Sequence, residues 1–443
     1  MVSAVEQMAA NTSWSALGKA TELRKRILFT LGLLLVYRLG TFIPVPGIDA
    51  TALREFMESA QSGIGGMLSM FTGGALGRMG IFALGIMPYI SASIIVQLLT
   101  SMVPSLEQLK KEGEQGRRKI NQYTRYGTVL LATFQAYGLA SSLEAGDLVT
   151  DPGLFFRLSC MITLVGGTMF LMWLGEQITS RGIGNGISLI IFAGIVAELP
   201  SAMGQLFTMS YDQGQFTALE LIALLLLVVG SIIFIVFVER SQRRLIVQYP
   251  KRQTQQGVAQ GDTSHLPLKL NTAGVIPPIF ASSLLLMPVT VAQFSAAGGP
   301  EWLTTVTTLL GRGQPLFMIL YAAMIIFFCF FYTAIVFNPQ DTADNLKKYG
   351  GFLPGIRPGD RTAEYIDKVL TRITVAGAAY LTIICLLPEF LMSGYAVPFY
   401  FGGTSLLIVV NVTMDTVTQI QSHLVAHQYE GLLKKARLRG GRR

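Results

Sequence analysis

"FALGIMPYISASIIVQLL", residues 82–99, carries no charge and holds one proline, Pro88, near its middle. A helix that crosses the hydrocarbon core of a bilayer needs about 20 predominantly apolar residues, and this stretch with its flanks is long enough. Ile86, Ile90 and Ile94 recur every fourth residue, so they form one stripe on a helix. Packing against neighbouring helices or lipid accounts for such a stripe by itself. Pro88 leaves the carbonyl of Leu84 without its helical partner, and Gly85 adds local freedom. Together they predict a bend beside Ile86. Ser91, Ala92 and Ser93 are small enough for close helix contact.

The rest of the chain has the same character. Of its 443 residues 51% are hydrophobic and 14% charged, and its mean hydropathy is +0.50. Soluble domains carry about 25% charged residues, so the composition is that of a membrane protein. Apolar windows of spanning length lie near 27–43, 80–101, 127–143, 155–175, 183–199, 218–238, 272–292, 315–337, 373–393 and 396–414. The fold class expected is therefore an all-α polytopic membrane protein with ten transmembrane helices. With the N-terminus in the cytoplasm, only Arg38, Arg54, Arg78, Arg157 and Arg312 of the 34 Lys and Arg residues fall on the external side. That asymmetry fits ten spans with both termini cytoplasmic. The net charge of +8 then reads as topology and attraction to anionic lipids, with an acidic cytoplasmic partner as a second use. Cys160, Cys329 and Cys385 all fall inside apolar windows and read as packing residues. No residue set has metal-ligand spacing, and neither a metal nor a cofactor is expected.

Ten spans divide into two groups of five. Five is odd, so related halves would form an inverted repeat. The expected divisions are a cytoplasmic segment over 1–26, a first half over 27–215, a second half over 216–414 and a cytoplasmic tail over 415–443. Two cytoplasmic loops are long, about 240–271 and 338–372. The first begins "RRLIVQYPKRQ", β-branched residues and then a Pro-Lys turn, which suits a hairpin projecting into water. The second contains "GGFLPGIRPGDRT", where prolines and glycines make a stiff turn with Arg357 at its tip. An external glycine-rich piece, residues 61–77, is apolar but too short to span, and reads as a re-entrant segment, a surface loop or a movable lid. "RGIGNGIS", residues 181–188, reads as a flexible lead-in to the fifth span.

Absences narrow the function. The charged residues of the spans, Arg38, Arg157, Glu176, Glu220, Glu239 and Glu389, sit near span ends, whereas ion and proton pathways are marked by mid-membrane charges. A secondary transporter of a small solute with inverted repeats, the alternative function, should show a polar midplane site. A membrane-embedded enzyme should show convergent catalytic groups. The sequence shows neither, nor a GxxxxGK[ST] phosphate loop. What remains is a pathway lined by apolar side chains, which gates by excluding water, with its energy supplied by a partner.

Five strings together carry more. "IFALGIMPYISASIIVQLLT" (81–100), "KKEGEQGRRKINQYTRYGT" (110–128), "FLMWLGEQITSRGIGNGIS" (170–188), "FYTAIVFNPQDTADNLKKYGGFLPGIRPG" (331–359) and "VPFYFGGTSLLI" (397–408) resemble the SecY family, the channel subunits of the bacterial protein translocase. The resemblance runs in order along essentially the whole chain. It implies two inverted five-helix halves around an hourglass pore, with a ring of six apolar residues: Ile86, Ile90, Ile187, Ile191, Ile279 and Ile408. It implies a plug within 61–77, including Gly63, Ile64, Gly65, Gly66, Met67, Leu68 and Phe71. It implies a lateral gate between the second and seventh spans, with Gln97 and Asn271 as polar gate residues. It implies motor or ribosome contact through Arg357, Arg243, Arg244, Lys251 and Arg252. The partners implied are SecE and SecG in a heterotrimer, the SecA ATPase, the translating ribosome, and preprotein and signal-peptide substrates. The implied location is the bacterial inner membrane, and the chain itself is a passive channel, not an enzyme. One departure stands out. "VIPPIF" (275–280) holds two prolines, Pro277 and Pro278, where one is expected, and this leaves the local geometry of Ile279 open.

Overall fold

A computed structural model of the chain describes residues 21–49, 51–53, 72–211, 218–249, 253–254, 257–258, 263–295, 314–395 and 403–440. Each of the ten apolar windows is met by a helix. The helices are α1 (Thr21–Gly40), α2 (Met87–Met102), α3 (Pro104–Lys111), α4 (Glu114–Ala145), α5 (Leu154–Arg181), α6 (Gly186–Tyr211), α7 (Ala218–Arg240), α8 (Ile276–Ser295), α9 (Pro315–Val336), α10 (Pro339–Lys348), α11 (Asp360–Tyr395) and α12 (Gly403–Gly440). Four short strands lie between α7 and α8: β1 (Gln242–Gln248), β2 (Gln253–Thr254), β3 (Gly257–Val258) and β4 (Thr263–Lys269). Among the described residues five helices are long and apolar enough to cross a membrane by themselves, and the α2–α3 pair, bent by 98° at Val103, makes a sixth. The protein is an all-α polytopic membrane protein, apart from its strands.

The chain forms two compact units. One comprises Met1–Gln205, Thr290–Pro300 and Ile408–Arg443; the other comprises Leu206–Val289 and Glu301–Leu407. Inside the first unit, α4 packs through small residues. Gly116, Thr124, Thr128, Ala132, Ala136 and Ala140 are all buried at multiples of four residues, so they share one stripe. A Cβ on Gly127 would touch the Ala92 methyl of α2 at 3.4 Å. In lipid, burying apolar area gives helices little reason to associate; close backbone approach and dense packing do. Val45, Met79, Ala83, Leu143, Leu148, Phe156, Cys160 and Leu164 complete this core. All three cysteines are buried and free, as packing residues are.

At the end of α4, Glu144 Oε2 stands 2.6 Å from the Arg157 guanidinium, and Glu144 also accepts from the Gly153 amide at 3.1 Å. The Arg157 hydrogen bond, helped by the Gly153 amide, holds the Glu144 carboxyl below its usual range. A depressed folded value means that the pair's contribution is fully present above the unfolded value, about 4.3, and is lost as pH falls through the folded value. Glu144→Gln is expected to lower the thermal midpoint at neutral pH and to flatten its fall between neutral and acid pH. Parallel pH dependences for variant and wild type would overturn that assignment.

In the second unit, β1 and β4 form the arms of the expected hairpin, antiparallel and in register from Gln242 opposite Lys269 to Gln248 opposite Thr263. Residues 338–372 differ from the expected open loop. They contain α10 and the first turns of α11. Asn338 caps α10 by accepting from the Gln340 amide at 3.0 Å, and Pro339 fits the first turn, where no amide donor is needed. The open part is only residues 349–359.

The second span also differs from expectation. It is not one helix bent at Pro88. Residues 72–86 run in turns, and α2 starts at Met87 with Pro88 in its first turn. Proline is pre-organised for that position and interrupts no ladder bond there. Glycine supplies the turns, with Gly73, Gly74 and Gly85 at φ of 64°, 78° and 56°.

Candidate functional site

Three of the six isoleucines, Ile86, Ile90 and Ile279, lie in one local setting that occurs twice. Ile86 is the N-cap residue of α2, and the Ile90 amide donates to its carbonyl at 3.1 Å. Both side chains are buried. Gly85, just before them, is left-handed, and a Cβ there would stand 2.9 Å from Thr72 Cγ2. Gly85→Ala therefore combines a left-handed penalty of about 1–2 kcal/mol with a steric clash. It is expected to shift the start of α2, read as a lowered midpoint in thermal unfolding of the detergent-solubilised protein. An unchanged midpoint would show that residues 82–87 adapt freely.

The second unit repeats the arrangement. Gly274 is left-handed at φ 65°, α8 starts at Ile276, and Pro277 and Pro278 fall in its first turn. The two prolines thus cost no ladder bond, and the Ile279 amide still donates to the Val275 carbonyl at 3.4 Å. The Ser282 and Ser283 hydroxyls donate to the Ile279 carbonyl at 3.0 and 2.8 Å. In sequence this is "GIMPYI" (85–90) against "GVIPPI" (274–279). That internal match lies in the sequence itself, although division into apolar spans does not reveal it.

Ile187 and Ile191 lie at the start of α6. The turn before them is pinned rather than flexible, which corrects the reading of "RGIGNGIS". The Ile183 amide donates to Thr30 Oγ1 at 3.1 Å, the Gly184 amide to Gln419 Oε1 at 2.8 Å and the Gly186 amide to Thr179 Oγ1 at 2.9 Å. Its glycines serve close approach: a Cβ on Gly186 would collide with the Gly175 carbonyl of α5. Ile191 and Ile408 are buried, and Ile187 and Ile279 are half-buried. Ile94 is also buried.

Residues 72–80 are held by neighbours in the first unit. Tyr37 donates to the Thr72 carbonyl at 3.3 Å and Arg38 to the Gly73 carbonyl at 2.6 Å. The Arg38 and Arg78 guanidinium carbons lie 4.9 and 4.3 Å from the centroid of the Phe42 ring, within cation–π range. The expected plug residues Gly63, Ile64, Gly65, Gly66, Met67, Leu68 and Phe71 lie outside the described residues, as do Lys251 and Arg252. Gln97 is half-buried and donates to Ser93 Oγ at 3.2 Å. Asn271 is buried and sits in the turn between β4 and α8, not within the span.

On the hairpin side, three segments distant in sequence form one platform. Gln248 and Phe352 exchange both backbone hydrogen bonds at 2.9 Å. Beneath them Leu245, Val247, Leu268, Leu353, Ile366 and Ile373 form a single apolar core. Arg243, Arg244 and Arg357 are all exposed on this body. The sequence presents the two loops separately; only the fold shows that they share a core.

A family model for SecY matches residues 80–417. The protein translocase subunit SecY of Vibrio cholerae serotype O1 is 59% identical over 432 residues, covering 96% of this chain and 97% of that protein. Among solved structures, a SecY protein whose plug domain stabilises the closed state of the translocation channel and maintains a membrane seal covers 90% of this chain and 92% of its own, with TM-score 0.67 and 18% identity. Sec61 in the canine ribosome–channel complex from the endoplasmic reticulum covers the same shares with TM-score 0.62 and 17% identity. The two structures speak for the fold, and the Vibrio relative and the family model speak for descent: the chain belongs to the SecY family of protein translocase subunits.

Proposed function

We propose that this chain is the pore-forming subunit of a protein-conducting channel in the inner membrane of a bacterium, with both termini cytoplasmic. Unfolded preproteins pass through a constriction of Ile86, Ile90, Ile187, Ile191, Ile279 and Ile408, and transmembrane segments leave sideways past Gln97 and Asn271. The plug is the segment 61–77. The observation that carries this reading is the matched start of α2 and α8. In each, a left-handed glycine precedes a proline-opened helix that holds an isoleucine in its first turns. The chain thus has two rigid, chargeless helix starts of the kind an apolar seal requires. Its halves are 27–215 and 216–414, flanked by the cytoplasmic segments 1–26 and 415–443.

The channel does no bond chemistry. SecE and SecG complete a heterotrimer, and movement is driven by the SecA ATPase or by the translating ribosome. The exposed Arg243, Arg244 and Arg357 on one apolar-cored platform support this part, because such arginines suit the phosphates of ribosomal RNA or an acidic protein face. Lys251 and Arg252 belong to the same docking set, and the basic cytoplasmic side also meets anionic lipids. The deciding experiment is reconstitution of the chain with SecE in liposomes, followed by SecA, ATP and a preprotein. Protease-protected preprotein is expected. Its absence in the presence of active SecA would refute the proposal.

A further inference from the structure

The hairpin and α8 are tied together at their shared base. Asn271 Nδ2 donates to Glu239 Oε1 at 2.7 Å and to the Gly274 carbonyl at 3.0 Å, while its Oδ1 accepts from the Gly274 amide at 3.1 Å. The Leu270 amide donates to the Ser241 carbonyl at 3.0 Å. The last turn of α7, the two feet of the hairpin and the turn into α8 therefore close into one ring of contacts. α11 backs this ring so tightly that a Cβ on Gly377 would stand 2.8 Å from the Leu270 carbonyl.

These contacts divide into two kinds. The hairpin is held internally by its strand register and its apolar core. The turn from Asn271 to Gly274 is held by its own pair of hydrogen bonds. The Glu239 bond lies outside both of these sets and ties the turn to α7. It is short, at 2.7 Å, and its donor is buried, where a hydrogen bond is electrostatically stronger than in water. Two residues past Asn271's neighbours, the left-handed Gly274 leads straight into α8 and Ile279. A displacement of the hairpin relative to α7 strains the Asn271–Glu239 bond along with the Leu270–Ser241 bond, or turns α8 about Gly274.

We propose that Glu239 is a positioning residue whose bond to Asn271 passes the docking of a ribosome on the hairpin to α8. The inference rests on the reading of the platform as a docking face. It adds a route from that face to the isoleucine at position 279, and coupling of this kind changes an equilibrium about 5- to 150-fold.

The test places an environment-sensitive fluorophore on α8 at Leu284→Cys. Leu284 is 38% exposed, and Cys160, Cys329 and Cys385 are 0%, 2% and 3% exposed, so the label goes to the new thiol. The labelled chain is reconstituted with its partner subunits, and ribosomes are the probe. With Glu239 intact, ribosome binding is expected to shift the emission. Glu239→Leu is expected to keep ribosome affinity within about twofold while abolishing the shift. Glu239→Gln, whose amide oxygen still accepts from Asn271, is expected to retain part of it. The exchanged pair Glu239→Gln with Asn271→Asp is expected to restore more of the shift than Asn271→Asp alone. A full shift in Glu239→Leu overturns the latch. So does a parallel loss of affinity and shift, which would make Glu239 part of the platform's scaffold. The docking reading is tested separately by Arg243→Glu with Arg244→Glu: unchanged ribosome affinity there refutes that reading, whatever Glu239 does.

Discussion

Replacing Ile86 or Ile191 by aspartate is expected to turn the resting channel into an ion leak. An apolar constriction holds back ions because water leaves it; a carboxylate in the same place is hydrated and draws water and cations through. Lowering the barrier by about 1.4 kcal/mol raises the passage rate tenfold. A charge in the seal is expected to exceed that, so conductance in planar bilayers should rise more than tenfold. Ile191→Gly, which removes the side chain without adding charge, is expected to leak less than Ile191→Asp. Ile94 supplies the contrast. It shares the stripe with Ile86 and Ile90 and is 2% exposed, but it is expected to serve packing. Ile94→Ala is expected to cost about 2–5 kcal/mol of stability and to leave conductance at the wild-type level. Wild-type conductance in Ile86→Asp and Ile191→Asp channels that insert normally would remove these two residues from the seal.

The stripe also shows where sequence reasoning reached and where it stopped. All ten windows found by hydropathy are met by helices, because the bilayer forces one length and one composition on every span. The interiors of spans were therefore legible, and their starts were not. Pro88 predicts a bend and Pro277 and Pro278 leave the geometry of Ile279 open, but proline is as much at home in a first turn as it is disruptive in an interior. Only the turn before it decides, and that turn depends on left-handed glycines at 85 and 274. The same ambiguity hid α10, which Asn338 and Pro339 start in a stretch read as loop.

The glycines of residues 181–188 suggest freedom, yet three side chains from elsewhere in the first unit fix amides of this turn. Thr30 and Gln419 lie far from them in the sequence, and nothing local announces either. The platform beneath the hairpin is hidden for the same reason. Its core joins Leu245, Leu353 and Ile366, which lie on a strand, an open turn and a helix. The charges at its surface were legible because they stand out singly; the surface they stand on is a product of tertiary packing.

That packing sharpens the second large effect, at Arg357. Arg357→Glu is expected to slow motor-driven export severely while leaving the fold intact. The turn that carries Arg357 is built without help from its side chain. Gly355 and Gly359 set the path at φ of 81° and 109°. Thr362 Oγ1 donates to the Arg357 carbonyl at 2.9 Å, and the Ile356 amide donates to the Leu353 carbonyl at 3.1 Å. Leu353 is buried in the platform core. The guanidinium is exposed on this stiff support, so substitution there should change stability by no more than about 0.5 kcal/mol. Binding is another matter. An arginine held rigidly at the tip of a docking face loses little freedom when it is engaged, and such anchors are worth about 2 kcal/mol or more to an interface. Charge reversal adds repulsion to that loss. Motor-driven translocation into proteoliposomes is therefore expected to fall at least about tenfold, the change that 1.4 kcal/mol produces. The deficit should be reached with unchanged thermal stability. Reversal of the nearby Arg361, exposed on the first turn of α11, is expected to do much less, because it lies beyond the stiff turn. Equal translocation rates for Arg357→Glu and wild type would show that the motor docks elsewhere, and an equal loss at Arg361→Glu would reduce the effect to the net charge of the face rather than the placement of one side chain.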